Sequence, residues 1–463
     1  MDAENKESCL QRDSAERKGY VRAHRSFNRI WKERDSAEPD ILGKILSKDN
    51  LNRAYKRVKA NKGAPGVDGM TIEEAFPWLK EHSHELTERI RKGHYTPSPV
   101  RRVEIPKPDG GVRKLGIPTV TDRIIQQAIS QQLIPIYEPK FAEGSFGYRP
   151  ERSAKDAVQR IKEYAEQGYT RAVVLDLSKY FDTLNHEKLL NLLRKEVKDE
   201  RVIQWIKRYL KSGVMENGVV METEEGSPQG GNISPLLANI YLNEFDQEYQ
   251  KRGVIFVRYA DDIVLLAKSD RAAKRLLETS MKYLEGTLKL KVNQEKSRVV
   301  SVFAIRNFKF LGFTLGKNGK GIYVRVHGKS WKKMKSKLKD LSSRRSVQSI
   351  RPALAKIKVY MRGWLNYYGI ADMKKRIDEL NKWLYHRIRM CIWKQWKKPK
   401  TKVKNLRKMG VPEDLAWQAG NSRRGYWFTT HTVAVNLAMT KERLISSGFY
   451  DLAAAYQSVH VNC

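Results

Sequence analysis

Three aspartates stand where carboxylates are costly. Asp176 lies at the end of the apolar run AVVLDL (172–177), and Asp261 and Asp262 interrupt the apolar stretch VIFVRYADDIVLLAK (254–268). Placing carboxylates together beside an apolar layer strips their hydration and sets like charges against each other. Such a group either takes up protons or takes up a cation. Magnesium prefers hard carboxylate oxygens and keeps positions for water and phosphate. Two such ions about 3.5–4 Å apart can activate an attacking hydroxyl and stabilise a leaving oxygen in displacement at phosphorus. Applied to a 3′-hydroxyl and a nucleoside triphosphate, one ion lowers the pKa of the attacking oxygen and the other neutralises the triphosphate. Taken singly, the residues have plainer readings. Asp261–Asp262 can be the polar tip of a solvated hairpin, and Asp176, followed by Ser178 and Lys179, can be a helix cap.

The segments around these residues read as the elements that would hold them. The β-branched content of 172–177 predicts a buried strand, and 254–268 reads as two strands joined by a tight hairpin at Ala260–Asp261. RVEIPKPDGGVRKLGIP (102–118) predicts a β-hairpin about a Pro-Asp-Gly-Gly turn, and 121–138 a helix after a Thr/Asp cap. NKGAPGVDG (61–69) reads as a loop, 275–290 as an amphipathic helix and FKFLGFTL (308–315) as a strand. Apolar residues at spacings of three or four predict two further helices, one carrying Ile350, Leu354, Ile357, Met361, Trp364 and Tyr368, the other Ile377, Leu380, Leu384, Ile388 and Ile392. Arg407 to Arg424 reads as a basic, turn-rich connection, and the rest as mostly helical. Mixed strands and helices of this kind predict an α+β layer.

The bulk numbers bound the partners. A chain of 463 residues, 40% apolar and 10% aromatic, is too long for one ordinary core and too apolar to be disordered throughout. Lys and Arg number 89 against 52 Asp and Glu, a net charge of +37 that attracts polyanions. Residues 330–463 hold 29 Lys and Arg against 8 Asp and Glu, so basicity concentrates at the C-terminal end. No run of 18 apolar residues is present, which argues against a membrane partner. Cys9, Cys391 and Cys463 are too scattered for a zinc knuckle or a disulfide framework, and the N-terminus lacks an apolar signal core, so the cytoplasm or its nucleoid is the expected location. Residues 1–40 are highly charged, with the pentamer RDSAE at Arg12–Glu16 and again at Arg34–Glu38, and read as an appendage without an assigned role.

Taken together, the motifs are more specific than any one of them. YADD at 259–262, AVVLDLSKYFD at 172–182 and EGSPQGGNISPLLANIYLNEFD at 225–246 resemble the palm motifs of reverse transcriptases, in the version of bacterial group II intron-encoded proteins. GYRPERSAKDAV (147–158), LKLKVNQEKSRVV (288–300) and FKFLGFTL (308–315) resemble further blocks of that family in its order and spacing. The likeness runs from about Leu51 to near the end of the chain and is strongest to the compact group IIC type without an endonuclease domain. It implies a right-hand polymerase fold: a charged extension at 1–40, fingers at 41–165, a palm with the catalytic site at 166–315, an α-helical thumb or maturase domain at 316–395, and a mostly helical, basic DNA-binding region at 396–463.

The resemblance also implies roles. Asp176 and Asp261 would bind two Mg2+ ions, with Mn2+ a possible substitute, Asp262 would support them, and the carbonyl of Leu177 would complete one metal shell. Phe181, five residues beyond Asp176, resembles the steric gate whose ring leaves no room for a ribose 2′-hydroxyl. Gln229 would line the nucleotide pocket, with Gly226, Gly230 and Gly231 allowing close backbone approach. Lys107 and Arg113, flanking the 108–111 turn, resemble fingertip cations for the incoming dNTP triphosphate, and Lys114 could stand in for Arg113. Trp364, Tyr368, Arg387, Lys394, Lys397, Lys398, Arg423 and Arg424 are the candidate nucleic-acid contacts, although the aromatics fit a helical core better than base-stacking. The implied partners are group II intron RNA, an RNA template with a DNA primer, and target DNA; monomer and dimer stay open. No HNH-type nuclease signature follows Val411, and no RNase H carboxylate cluster follows Lys329. The expected activity is RNA-directed DNA synthesis together with assistance to intron splicing and retrotransposition. A splicing cofactor with little polymerase role, and a host-recruited reverse transcriptase in defence or repair, are the alternatives.

Overall fold

The computed structural model of the chain describes residues 40–106, 111–216, 219–221, 226 and 230–460. The expected extension, apart from Asp40, lies outside the described residues, as do Lys107 and Gln229.

The strands are β1 (Val100–Pro106), β2 (Val112–Ile117), β3 (Arg171–Leu175), β4 (Val214–Glu216), β5 (Val219–Met221), β6 (Ile255–Tyr259), β7 (Asp262–Ala267), β8 (Arg298–Ser301), β9 (Phe313–Asn318) and β10 (Gly321–Val326). They form a four-stranded sheet in the order β2-β1-β4-β5, another in the order β6-β7-β3-β8, and the pair β10-β9. The second sheet contains the apolar runs that carry the aspartates. Ile263 to Leu266 of β7 are all at most 2% exposed. A strand covered on both faces is apolar at successive positions rather than alternating, which is why these stretches read as continuous hydrophobic runs. β1 and β2 form the expected hairpin, in a register that sets Arg101 opposite Ile117 and Pro106 opposite Val112, and exposure rises along β1 toward the turn.

Two compact units divide the chain. The first comprises the described residues up to Arg152, Leu175–Ile263 and Glu278–Ser297. Its helical framework includes Lys48–Ala60, Val120–Tyr137, His186–Glu196, Glu200–Lys211 and Ser234–Lys251. The Val120–Tyr137 helix is capped by Thr119, whose side chain accepts from the Asp122 amide, two positions earlier than the Thr/Asp pair at 121–122 suggests. It is buried over most of its circumference, and its backbone is tied to the neighbouring helix by Asn50, whose amide donates to the carbonyls of Ile45 and Ala128. The second unit comprises Ser153–Val174, Val264–Leu277 and the chain from Arg298 onward, and is mostly helical after β10. The units interleave along the sequence, whereas composition shifts suggest consecutive blocks, because residues that pack together come from distant segments.

Helices Ile350–Tyr368 and Lys374–Gln395 coincide with the two apolar periodicities. Elsewhere the local reading is corrected. The 308–315 strand is broken: Leu311 and Gly312 adopt φ of 51° and 86°, and only from Phe313 does β9 begin. A Cβ on Gly312 would come within 2.5 Å of the Tyr368 hydroxyl, so the turn is fixed by packing that local sequence does not show. The 275–290 helix begins earlier, at Asp270, and loses regular α geometry after Lys282, in a wider turn at Tyr283–Thr287 containing Gly286. The 407–424 connection contains ordered structure: Pro399–Lys408 and Glu413–Gly420 are helices about a Gly410 turn, packed through Trp393, Val403, Leu406, Ala416 and Val435. Helices this short carry too few apolar residues to register as a period.

Candidate active site

The first unit brings Asp176 and Asp261 together from opposite ends of their segments. Asp176 leaves the end of β3 and is held on both sides of its peptide: its amide donates to Ser297 Oγ at 3.1 Å, and its carbonyl accepts from the Asn293 amide at 2.8 Å. Ser178 N–H donates to the Lys291 carbonyl at 2.8 Å, so the buried Leu177 is pinned between two bonds to one segment. The Asp176 carboxylate is 39% exposed, with Lys296 Nζ 3.7 Å away. Asp261 sits in the turn between β6 and β7, after Ala260 at a φ of 57°, and is half-buried. Burial pushes its carboxyl above the usual carboxylate range, and the charge of Asp176 pushes the same way, against Arg113 and Arg258. Asp262 opens β7 with its side chain exposed.

Among the described residues, no three side chains of His, Cys, Asp and Glu form a ready metal group. Asp176 and Asp261 form a repelling pair, with Asp262 as their exposed neighbour. The pair fits divalent ions by its chemistry. Its oxygens are hard donors, Asp176 is open to solvent, and the repulsion that raises Asp261 is what a positive charge would relieve.

The fingertip cations separate by strand geometry. Arg113 and Lys114 are neighbours on β2, so their side chains leave opposite faces. The Arg113 guanidinium acts on both Asp261 and Tyr148. Lys114 stands 3.9 Å from each of Glu104 and Glu216, and its charge, with those of Arg102 and Lys179, opposes the burial that raises the carboxyl of Asp182. The substitution of Lys114 for Arg113 is thus not supported by its direction. Phe181 lies in the turn Tyr180–Asp182, half-buried, with its ring edge-on to Tyr180 at 5.3 Å. Tyr180 is buried, and its hydroxyl donates to the Ala238 carbonyl at 2.6 Å, anchoring the turn that presents Phe181. Two glycines are required by close approach. A Cβ on Gly226 (φ 90°) would meet the Asp182 backbone at 2.8 Å, and one on Gly230 (φ 124°) the Gly116 carbonyl at 2.2 Å.

Tyr148 was not among the candidates. It holds a φ of 58°, is 55% exposed, and the charges of Asp261, Asp262 and Arg113 all act on its phenol. Its only trace in the sequence is an aromatic after Gly147 within the 147–158 block.

In the second unit the nucleic-acid candidates divide. Trp364 is buried, edge-on to Trp331 at 5.7 Å and 4.7 Å from Tyr368, which packs in turn on Phe313; its ring serves the core rather than a base. Arg387 donates to Ser342 Oγ at 2.7 Å and to the carbonyls of Lys339 and Ser342, closing the end of the Gly328–Leu341 helix. Lys394 donates to the Arg344 carbonyl at 2.8 Å. Lys397, Lys398, Arg423 and Arg424 are exposed, with Arg424 lying 4.3 Å over the Phe428 ring.

Comparison with known proteins follows the same division. Residues 105–315 match the model of reverse transcriptase (RNA-dependent DNA polymerase), and residues 331–410 match the group II intron, maturase-specific domain. Protein YkfC of Escherichia coli (strain K12) is 36% identical over 315 residues, which are 59% of this chain and 82% of YkfC. The group II intron-encoded protein LtrA of Lactococcus lactis subsp. cremoris is 29% identical over 383 residues, 68% of this chain and 62% of LtrA. The putative COX1/OXI3 intron 2 protein of Saccharomyces cerevisiae is 28% identical over 320 residues, 56% of this chain and 37% of that protein. The region that carries Asp176 and Asp261 is a reverse transcriptase domain, an RNA-directed DNA polymerase. More particularly, the chain belongs to the reverse transcriptase/maturase family encoded by group II introns.

Proposed function

We propose that the chain extends a DNA primer on an RNA template with dNTPs, using two Mg2+ ions held by Asp176 and Asp261, and that it does so as a ribonucleoprotein with its intron RNA in the cytoplasm or nucleoid, where it also assists splicing and insertion into target DNA. The observation that carries the reading is the placement of Asp176 just past the end of β3 and of Asp261 at the β6–β7 turn beside it, β7 being the strand that adjoins β3. Bound there, the ions would supply activation of the primer 3′-hydroxyl and neutralisation of charge on the triphosphate. The protein's own share is positioning. The bonds about Asp176 and the β6–β7 turn fix the two carboxylates before substrate arrives, which removes reorganisation from the reacting step. Arg113 offers a planar fork suited to phosphate oxygens. Phe181, anchored through Tyr180, is the ring that would stand under the sugar and exclude a 2′-oxygen. The net charge of +37 supports a polyanionic partner held over a broad surface.

The test is Asp261→Asn, which keeps volume and removes charge. Primer extension should fall by at least about 10³-fold, the several kcal/mol expected of lost charge stabilisation by bound metal. Filter binding of RNA should stay within about twofold of the parent, since RNA affinity is carried by cations on phosphates rather than by this carboxylate. Extension at a parental rate by the Asn variant would reject the assignment.

A further inference from the structure

A buried ion pair lies directly behind the catalytic turn. Arg258 of β6 and Asp246 of the Ser234–Lys251 helix are both fully buried. Arg258 Nε donates to both Asp246 oxygens at 2.9 Å, and Nη2 donates to Asp246 and, at 2.8 Å, to Ser145 Oγ. Nη1 donates to Asn239 Oδ1 at 2.9 Å and to the Ala260 carbonyl at 3.0 Å. All five N–H groups of the guanidinium are therefore used. A pair of this kind is not explained by stability, because apolar residues of similar volume usually serve a core as well or better. What the pair holds is more informative. Ala260 is the residue at a φ of 57° immediately before Asp261, a conformation that a side chain with a Cβ does not adopt without cost. Its carbonyl is fixed by Arg258, and its amide faces Gly147 so closely that a Cβ there would come within 2.2 Å. Gly147 is itself tied in, since Asn239 Nδ2 donates to its carbonyl at 2.7 Å, while the backbone of Arg258 exchanges bonds with Gly144 and Phe146. Asn239 and Arg258 thus join the two backbones that meet at the turn.

We propose that Arg258, Asp246, Asn239 and Ser145 form the device that positions Asp261 for nucleotide addition by locking the Ala260 turn from behind. They are positioning residues, and the inference rests on the reading of Asp176 and Asp261 as the metal-binding pair. The guanidinium fork suits the task because its donors are coplanar and cannot be deprotonated, so the carbonyl of Ala260 and the carboxylate of Asp246 are set at fixed directions from one another.

Two variants test it. The double variant Arg258→Met/Asp246→Leu replaces the pair with apolar residues and leaves no uncompensated charge. Asn239→Ala keeps both charges of the pair while removing one acceptor of Arg258 Nη1 and the donor to the Gly147 carbonyl. Each is examined by thermal melting, by steady-state primer extension and by Mn2+ binding followed through the electron paramagnetic resonance signal of the free ion. The double variant should stay folded, at a melting point lowered only by the loss of the donor to Asn239, Ser145 and the Ala260 carbonyl, while kcat falls about 10²-fold, the scale of a misplacement near 1 Å. Its KM for dNTP should change less than about threefold, and its Mn2+ affinity should weaken. Asn239→Ala should shift kcat and Mn2+ affinity in the same direction by less. A folded double variant with parental kcat and Mn2+ affinity overturns the proposal. If the double variant does not fold, Asn239→Ala decides, and parental values for it overturn the proposal. Failure of the metal assignment would look different, since Asp261→Asn would then remain active.

Discussion

The polymerase site and the basic helical region handle charge in opposite ways. In the first, the carboxylate pair and the arginine behind it are partly or wholly buried and held through backbone bonds. Arg258 is fully enclosed, Asp176 is fixed through its own peptide, and Asp261 is held in a turn that its neighbours restrain. In the second, cations are many, and those that remain exposed, such as Lys397, Lys398, Arg423 and Arg424, lie at turns and helix ends. The difference matches two tasks. Chemistry at phosphorus needs carboxylates at fixed places before substrate binds, so conformational freedom is removed there in advance. Gripping a polyanion needs density of charge rather than register, and counterion release rewards it without fixed geometry. One pair of aromatic residues runs the other way. Near the catalytic turn Tyr148 is exposed and within the field of the carboxylates, whereas Trp364, in the basic region, is buried.

The contrast is tested most severely at Trp364. As a core residue, Trp364→Ala should cost about 3–5 kcal/mol of stability, the range for removing a large buried ring. Chemical denaturation gives that number directly. RNA affinity measured well below the melting point should be unchanged. A stable variant that has lost RNA affinity would move Trp364 to the binding surface and erase the distinction between the regions. A smaller effect is expected at Phe181. Phe181→Ala should raise the incorporation of ribonucleotides relative to deoxynucleotides by about 10–100-fold, the discrimination a steric pocket supplies. Competition between rNTP and dNTP in single-nucleotide extension measures it, and an unchanged ratio would remove Phe181 from the sugar pocket.

Legibility in the sequence followed the range of the forces involved. Apolar periodicity is local, and the helices Ile350–Tyr368 and Lys374–Gln395 lie where their spacings place them. The Ala260–Asp261 hairpin was equally plain, because two apolar runs broken by two carboxylates leave little else. The Arg258–Asp246 pair was not legible. Twelve positions separate the two residues, one on a strand and one on a helix, and nothing in that spacing says they meet. An Arg beside a basic surface reads as one more exposed cation until its burial is known. The same reason separates Arg387, bound to the carbonyls of Lys339 and Ser342, from Arg424, which is exposed. Tyr148 escaped because its significance depends on a left-handed backbone set by the contact of Gly147 with Ala260.

The weakest and most distributed effect concerns the exposed cations. Replacing Lys397, Lys398, Arg423 and Arg424 together by Ala should leave folding nearly intact, since none of them is buried. Nucleic-acid affinity should fall uniformly across sequences, because phosphate contacts carry no base information. The diagnostic quantity is the salt dependence. Each lost phosphate contact lowers the slope of log affinity against log salt by about 0.7 for single strands and about 0.9 for duplex DNA, so four contacts lower it by roughly 3. Titrations at several salt concentrations, with the parent and the fourfold variant on one RNA, read the slope without depending on absolute affinity. A variant that binds less tightly with an unchanged slope would have lost a structural feature rather than phosphate contacts. An unchanged slope and affinity would place the binding surface elsewhere on the basic region. Primer extension on a saturating template should be parental in either case, since a saturating template offsets the lost affinity, and a drop in kcat would show that the two ways of using charge are coupled.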